Sequence, residues 1–270
     1  MNIIEIIQSK YDSLTNKQKC VADYLSDKPS DICYVSLSTL SKKIGCSEVT
    51  ILNFCKNIGI DSFINLKEEF RDYNQTLVNK HSVSSYSVPL EISDTNDKID
   101  FLKNICNEEL DKITNFYNSI DLESVLSIAN IISKRQIIYL FAHDASRSLA
   151  YFLKLRLDLL NLNVVMIDLS DMNETEYIMK QINKDDVAIF LSFPNYYYSV
   201  KNIAENVKHS QCEIVLITDS LNCPIVDCTN NILLCSTRTK IFYNSWILPV
   251  ALINSLTSTL AMLVKEINDF

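Results

Sequence analysis

The sequence predicts an all-α domain over residues 1–77, a linker at residues 78–97, and an α/β domain over residues 98–270 with a mostly parallel, doubly wound five-stranded sheet. Three observations predict it. A chain of 270 residues is too long for one average domain and short for three, and either of two parts could bury its own core. The stretch from His81 to Asp97, HSVSSYSVPLEISDTND, is serine-rich, contains Pro89 and has no helical period, as a linker should. Before it, apolar residues fall in short helical clusters. After it, β-branched runs alternate with helical stretches, which is the pattern of βαβ units around a parallel sheet.

Composition bounds the function. Forty-seven per cent hydrophobic and 21 per cent charged residues describe an ordinary soluble chain. Gly45 and Gly59 are the only glycines, so a glycine-cradled nucleotide site is not expected, nor is a cofactor. The nine cysteines form no C-x-x-C pair and sit mostly in apolar stretches, as Cys20, Cys55 and Cys106 do; this reads as reduced, cytoplasmic core filling. His81, His143 and His209 are far apart with no pair at i, i+4, so no metal site is expected. The N-terminus lacks the basic start, apolar run and cleavage site of a signal peptide. One membrane-like stretch, Trp246 to Val264, is interrupted by Pro249, Asn254, Ser255, Thr257, Ser258 and Thr259, and reads as a buried or interface helix rather than a membrane span. A net charge of −8 argues against a nucleic-acid partner until its distribution is considered. Residues 1–77 hold nine Lys/Arg against ten Asp/Glu, while the remainder carries 16 against 23.

Taken in order, Thr15 with Gln18 fits a capping box opening a helix with Val21, Ala22, Tyr24 and Leu25 facing inward, which ends before Pro29. Ser36-Leu37-Ser38 leads into a helix over Thr39 to Ile44, with Leu40 and Ile44 on one face. Gly45 supplies a left-handed turn, and Ser47 caps a helix expected over Glu48 to Ile58 that stops at Gly59. That helix should bury Val49, Leu52 or Ile51, and Cys55. Its other face should show Ser47, Glu48, Thr50, Asn53, Lys56 and Asn57, polar groups able to bond phosphates and base edges in a major groove. The pattern is that of a helix-turn-helix; the plain alternative is a small helical bundle that binds nothing.

Beyond the linker, helices are expected over Lys98 to Ser119 and Leu122 to Ser133. Strands are expected at Gln136 to Ala142, Asn163 to Leu169, Asp186 to Ser192 and Glu213 to Thr218, with Asn231 to Cys235 as a fifth and a long helix over Phe242 to Ile267.

Across nearly its whole length the chain resembles the RpiR/MurR regulators, which join a helix-turn-helix domain to a sugar isomerase (SIS) domain. The resemblance rests on YDSLTNKQKCVADYLSDKP and VSLSTLSKKIGCSEVTILNFCKNIGIDSFINLK, where Thr50, Phe54, Cys55, Lys56, Gly59, Phe63, Leu66 and Lys67 match the family's words. It implies a transcriptional regulator of sugar or amino-sugar genes, acting on a double-stranded DNA operator as a homodimer or homotetramer. Asn53 stands where the family usually has an arginine; it cannot neutralise a phosphate but can pair with adenine. Lys42, Lys43 and Lys56 are then the expected phosphate contacts.

The SIS resemblance implies a sugar or sugar-phosphate effector held by two loops. The first usually reads Gly-x-Gly-x-Ser and here reads Ala142-His143-Asp144-Ala145-Ser146, keeping only the serine and adding a carboxylate that Arg147 would have to offset. The second usually reads Ser-x-Ser-Gly-x-Thr and here reads Ser192-Phe193-Pro194-Asn195-Tyr196-Tyr197. The candidate ligand residues are therefore Ser146, Arg147, Ser192, Asn195 and Tyr197, with the tyrosine run offering faces for something flat or carbohydrate-like. So many changes point to an altered ligand or to a domain kept for dimerisation alone. His143, Asp144 and Ser146 are neighbours on one turn and cannot form a catalytic relay, so no catalytic residue is expected. A phosphosugar isomerase is the enzymatic alternative, for whose proton-transfer base Glu174, Glu176 and His209 could be nominated.

Overall fold

The computed structural model describes residues 2–81, 95–169, 172–194, 196–239 and 244–268. The chain divides into two compact units, residues 1–81 and 82–270.

The first unit is helical. Helix α1 (Ile3–Lys10) is opened by Asn2, whose side chain and that of Glu5 form a reciprocal capping box, and it buries Ile3 and Ile7. Helix α2 (Asn16–Asp27) begins on the Thr15–Gln18 capping box and ends before Pro29, with Val21, Ala22 and Leu25 inside. Tyr24 is only half-buried, because its hydroxyl donates to Asp31 at 2.6 Å. That bond pushes the phenol up to about 12. Burial alone would raise the Asp31 carboxyl, but hydrogen bonds from Tyr24 and Lys43 outweigh it and hold it below the ordinary value.

Helix α3 (Leu37–Ile44) starts two residues before the sequence suggests, because Ser36 is the cap, accepting the Thr39 amide at 3.1 Å. Helix α4 (Glu48–Ile58) follows with Ser47 as its cap. Gly45 (φ 76°) and Gly59 (φ 88°) end the two helices in the left-handed region, where any side chain would be strained. The inward stripe of α4 is Ile51, Phe54, Cys55 and Ile58, at helical spacing. Val49, expected to be buried, lies about 160° around the helix from Ile51 and is 63% exposed. Of the pair Ile51 and Leu52, Ile51 is the core residue; Leu52 is 38% exposed.

Helix α5 (Phe63–His81) places Leu66 and Phe70 in the core, and Asn74 donates to the carbonyls of Pro29 (3.0 Å) and Phe70 (2.7 Å). It extends through residues 78–81, where the sequence suggests a linker. The rest of that expected linker up to residue 94 lies outside the described residues.

In the second unit, α6 (Thr95–Ser119) and α7 (Leu122–Ser133) precede β1 (Ile138–Ala142), α8 (Ser146–Asp158), β2 (Val164–Asp168), α9 (Met172–Met179), β3 (Val187–Ser192), α10 (Val200–His209), β4 (Glu213–Thr218), β5 (Asn231–Leu234) and α11 (Ile247–Asn268). The strands form one sheet in the order β2-β1-β3-β4-β5, every pairing parallel. Strands β1 and β3 are buried at every residue, which explains why they read as continuous apolar runs. Leu140, Ile189 and Val215 share a core with residues of α7, α8 and α11, while Phe141 and Phe190, one residue on, stack at 4.5 Å. Helix α11 is long and apolar enough to cross a membrane by length and composition. Its Leu252, Ile253, Leu256 and Leu260 are instead part of the sheet domain's core, and Thr257 Oγ1 accepts from Arg156 Nε at 2.6 Å.

One buried side chain ties two helices of the first unit together. Gln18 Oε1 accepts the Thr15 amide at 3.1 Å and the Asn57 side-chain amide at 3.0 Å, linking the start of α2 to the end of α4. Gln18→Ala removes both bonds and should lower the stability of the N-terminal unit by about 1–2 kcal/mol in urea unfolding. A change below about 0.5 kcal/mol, the scale of an ordinary surface substitution, would show that water replaces them without loss.

Candidate DNA interface and ligand site

Helices α3 and α4 with the turn at Gly45 make the candidate DNA interface. Of the residues expected to face a groove, several already have structural bonds. Ser47 Oγ accepts the Thr50 amide at 3.2 Å and shares a hydrogen bond with Thr50 Oγ1 at 2.8 Å. Asn57 donates to Gln18, and Lys43 pairs with Asp31 at 3.1 Å. Glu48, Asn53 and Lys56 are exposed on α4, as is Lys42 on α3. Val49 lies between Asn53 and Lys56 around the helix, a position that the apolar character of valine concealed in the sequence. Beside this face, Thr15, Asn16, Lys17, Gln18, Thr50 and Asn53 line a groove of about 370 Å³. The N-terminus of α2, capped by Thr15 and Gln18, lies at this groove. Lys17 was missed in the sequence because it precedes the glycine-centred pattern and only the packing of α2 on α4 brings it alongside.

The candidate ligand site follows from the sheet order. The chain moves from β1 to β2 on one side and later to β3 on the other, so the loops after β1 and β3 open a crevice at their carboxyl ends. Phe141 at the end of β1, His143 in the loop after it and Ser146 at the start of α8 meet Leu191 and Ser192 at the end of β3 and Tyr197 beyond it. The described residues leave a cavity of only about 10 Å³, the room of about one water. The His143 and Tyr197 rings lie against each other there, 4.3 Å apart and tilted by 31°. Tyr197 also makes an edge-type contact with Tyr198 at 4.7 Å and is buried.

The anion-holding groups are committed elsewhere. Asp144 keeps the left-handed backbone (φ 50°) for which the family's glycine is suited. The amides of Ser146, Arg147 and Ser148, at the start of α8, donate to the carbonyls of His143, Asp144 and Ala145 at 3.0–3.1 Å. Arg147 pairs with Asp168 at 2.9 Å rather than offsetting Asp144. The Cys223 thiol donates to Ser192 Oγ at 3.5 Å, and Tyr196 donates to Asp219 at 2.5 Å. Phe193 packs edge-on against Trp246, and the Asn244 amide donates to the Pro194 carbonyl, pinning the second loop to the entry of α11. Asn195 lies outside the described residues.

His143 Nδ1 is buried with no hydrogen-bond partner among the described residues. Burial holds the imidazole below its ordinary value against the opposing pull of Asp144 and Asp168. Of the nominated proton-transfer bases, Glu176 is exposed on α9. His209 is exposed at the end of α10, shortly before the start of β4 and so away from the carboxyl ends of the strands. The side chain of Glu174 lies outside the described residues. Among the described residues, no cluster of three or more His, Cys, Asp or Glu could hold a metal ion.

Comparison with known proteins places both units. Residues 1–76 match the helix-turn-helix domain of the rpiR family, and residues 131–264 match the SIS domain. An HTH-type transcriptional regulator of Haemophilus influenzae is 25% identical over 233 residues, spanning 86% of this chain and 79% of its own. Another from Thermotoga maritima is 25% identical over 248 residues, spanning 89% and 84%. Among solved structures, the sugar isomerase domain of an RpiR transcription factor from Sphaerobacter thermophilus superposes with a TM-score of 0.55 at 15% identity, covering 63% of this chain and 98% of its own. The Vibrio vulnificus NanR protein complexed with ManNAc-6P gives 0.53 at 16% identity, covering 99% of this chain and 94% of its own. These likenesses show the fold of the second unit, and the two domain matches in this order show the lineage. The chain belongs to the RpiR family of transcriptional regulators, with an N-terminal helix-turn-helix domain and a C-terminal SIS domain.

Proposed function

We propose that this chain is a cytoplasmic regulator that reads its operator as a homodimer or homotetramer, chiefly through the α4 side chains that carry no internal bond, while its SIS domain assembles the oligomer and admits no ordinary phosphosugar. The observation that carries the DNA reading is the exposed face of α4, where Glu48, Asn53 and Lys56 have no hydrogen-bond partner among the described residues. Lys42, Lys56 and Lys17 supply backbone charge near it, and the dipole of α2 adds to Lys17. Ser47, Thr50 and Asn57 contribute by holding α4 in shape. Dimerisation is supported by the outer side of α8, where Tyr151, Leu155 and Leu159 are exposed at successive turns. Two-fold assembly also suits the paired half-sites that such domains read.

The filled crevice supports the second part of the proposal. A sugar phosphate of the kind seen in the NanR complex would have to part Tyr197 from His143, tolerate Asp144 and find the α8 amides already bonded. The same lack of room counts against an isomerase, whose substrate needs the same crevice.

Sequence-selective binding to the promoter next to its own gene should be readable by fluorescence anisotropy and should weaken with salt. Lys56→Ala should weaken binding about equally on all sequences and reduce the log–log salt slope by about 1. No binding at low salt would overturn the DNA reading. In thermal-shift measurements, hexose phosphates and N-acetylhexosamine phosphates should leave the wild-type midpoint unmoved. A midpoint that climbs with ligand concentration would show that the crevice opens to them. Because the folded pKa of His143 is depressed, its neutral form contributes stability above about pH 6.5, the unfolded value. That contribution is lost as pH falls toward the folded pKa, so wild-type stability should drop more steeply than that of His143→Gln below about pH 6.5. Parallel pH curves would show that the imidazole is not desolvated.

A further inference from the structure

We propose that Val49 reads the C5-methyl group of a thymine in the operator's major groove, an inference that rests on the DNA-binding reading above. Val49 occupies the first turn of α4, and in a recognition helix the N-terminal residues are the ones that reach base edges. It is 63% exposed although its helix has a full apolar stripe for the core, on the opposite side. Leu52, three residues on and about 60° around the helix, is 38% exposed and extends the apolar surface. Polar groups border this surface: Glu48 before it, and Asn53 and Lys56 beside it. No other part of the described α4 surface combines exposure with two large apolar side chains.

The chemistry of the groove selects the partner. Guanine, cytosine and adenine present only donors and acceptors there, and thymine alone adds an apolar methyl group. A valine can neither donate nor accept, so the contact that stabilises it against a base edge is with that methyl. Its branch at Cβ fixes χ1 in a helix, so the two methyls are already held in place before binding. The occupant is duplex DNA because the apolar pair lies on the exposed face of α4, within the domain that matches the helix-turn-helix domain of the rpiR family.

The test uses the full-length protein and an operator recovered by selection from random duplexes. Each thymine of the bound site is replaced in turn by deoxyuridine, which removes only the methyl group. At one or two positions per half-site the affinity should fall about four-fold, equivalent to about 0.8 kcal/mol for one buried methyl. Val49→Ala should keep its fold, since the residue is exposed and alanine favours helix. In that variant thymine and deoxyuridine should bind alike at the sensitive positions. If no position responds to deoxyuridine, or if Val49→Ala stays equally sensitive, the assignment of Val49 is overturned while the DNA reading stands. If selection recovers no sequence at low salt, the DNA reading fails and the assignment falls with it.

Discussion

Strand β1 is hydrogen-bonded along both edges, to β2 on one side and β3 on the other, and the second domain is organised around that pairing. Because β1 is covered on both faces and flanked on both edges, its carboxyl end is where the chain can reverse its direction of travel across the sheet. The loops after β1 and β3 must part there, and a crevice results. Its existence is a property of topology. Whether it is open depends on the side chains that line it.

In this protein the described side chains leave little room in it. Glycines would have left backbone amides exposed to a phosphate. Asp144 instead follows the same left-handed path with a side chain added, at a strain cost that aspartate bears better than most residues. The neighbouring amides then bond within the loop, Arg147 turns to Asp168, and the His143 and Tyr197 rings occupy the space. Each change alone could be accommodated by a ligand site. Together they leave a small, largely packed space, in which His143 Nδ1 has no hydrogen-bond partner among the described residues.

The first domain shows a related division between structure and recognition. Short helices have a large share of unbonded terminal groups, so their caps draw on nearby polar side chains. Ser47, Thr50 and Asn57 looked like groove-facing residues because they are small and polar, and those same properties make them caps and cross-links. The side chains of α4 left exposed without such a duty include Glu48, Asn53, Lys56 and the apolar Val49.

Much of the fold was legible in the sequence. Glycine in the left-handed region, serine as a cap and a capping box are local signals, and they placed α2, α4 and both turns. Continuous apolar runs placed the strands, because a strand covered on both faces has no polar positions to interrupt it. The sequence by itself therefore determined the elements, their order and the family. Only the tertiary structure decided that Val49 points outward, that Lys17 lies beside α4, that Arg147 is spent on Asp168 and that Tyr197 packs against His143 in the crevice. The reason is physical: local signals set backbone conformation within a few residues, whereas the direction and partners of a side chain depend on elements remote in sequence that only folding brings alongside.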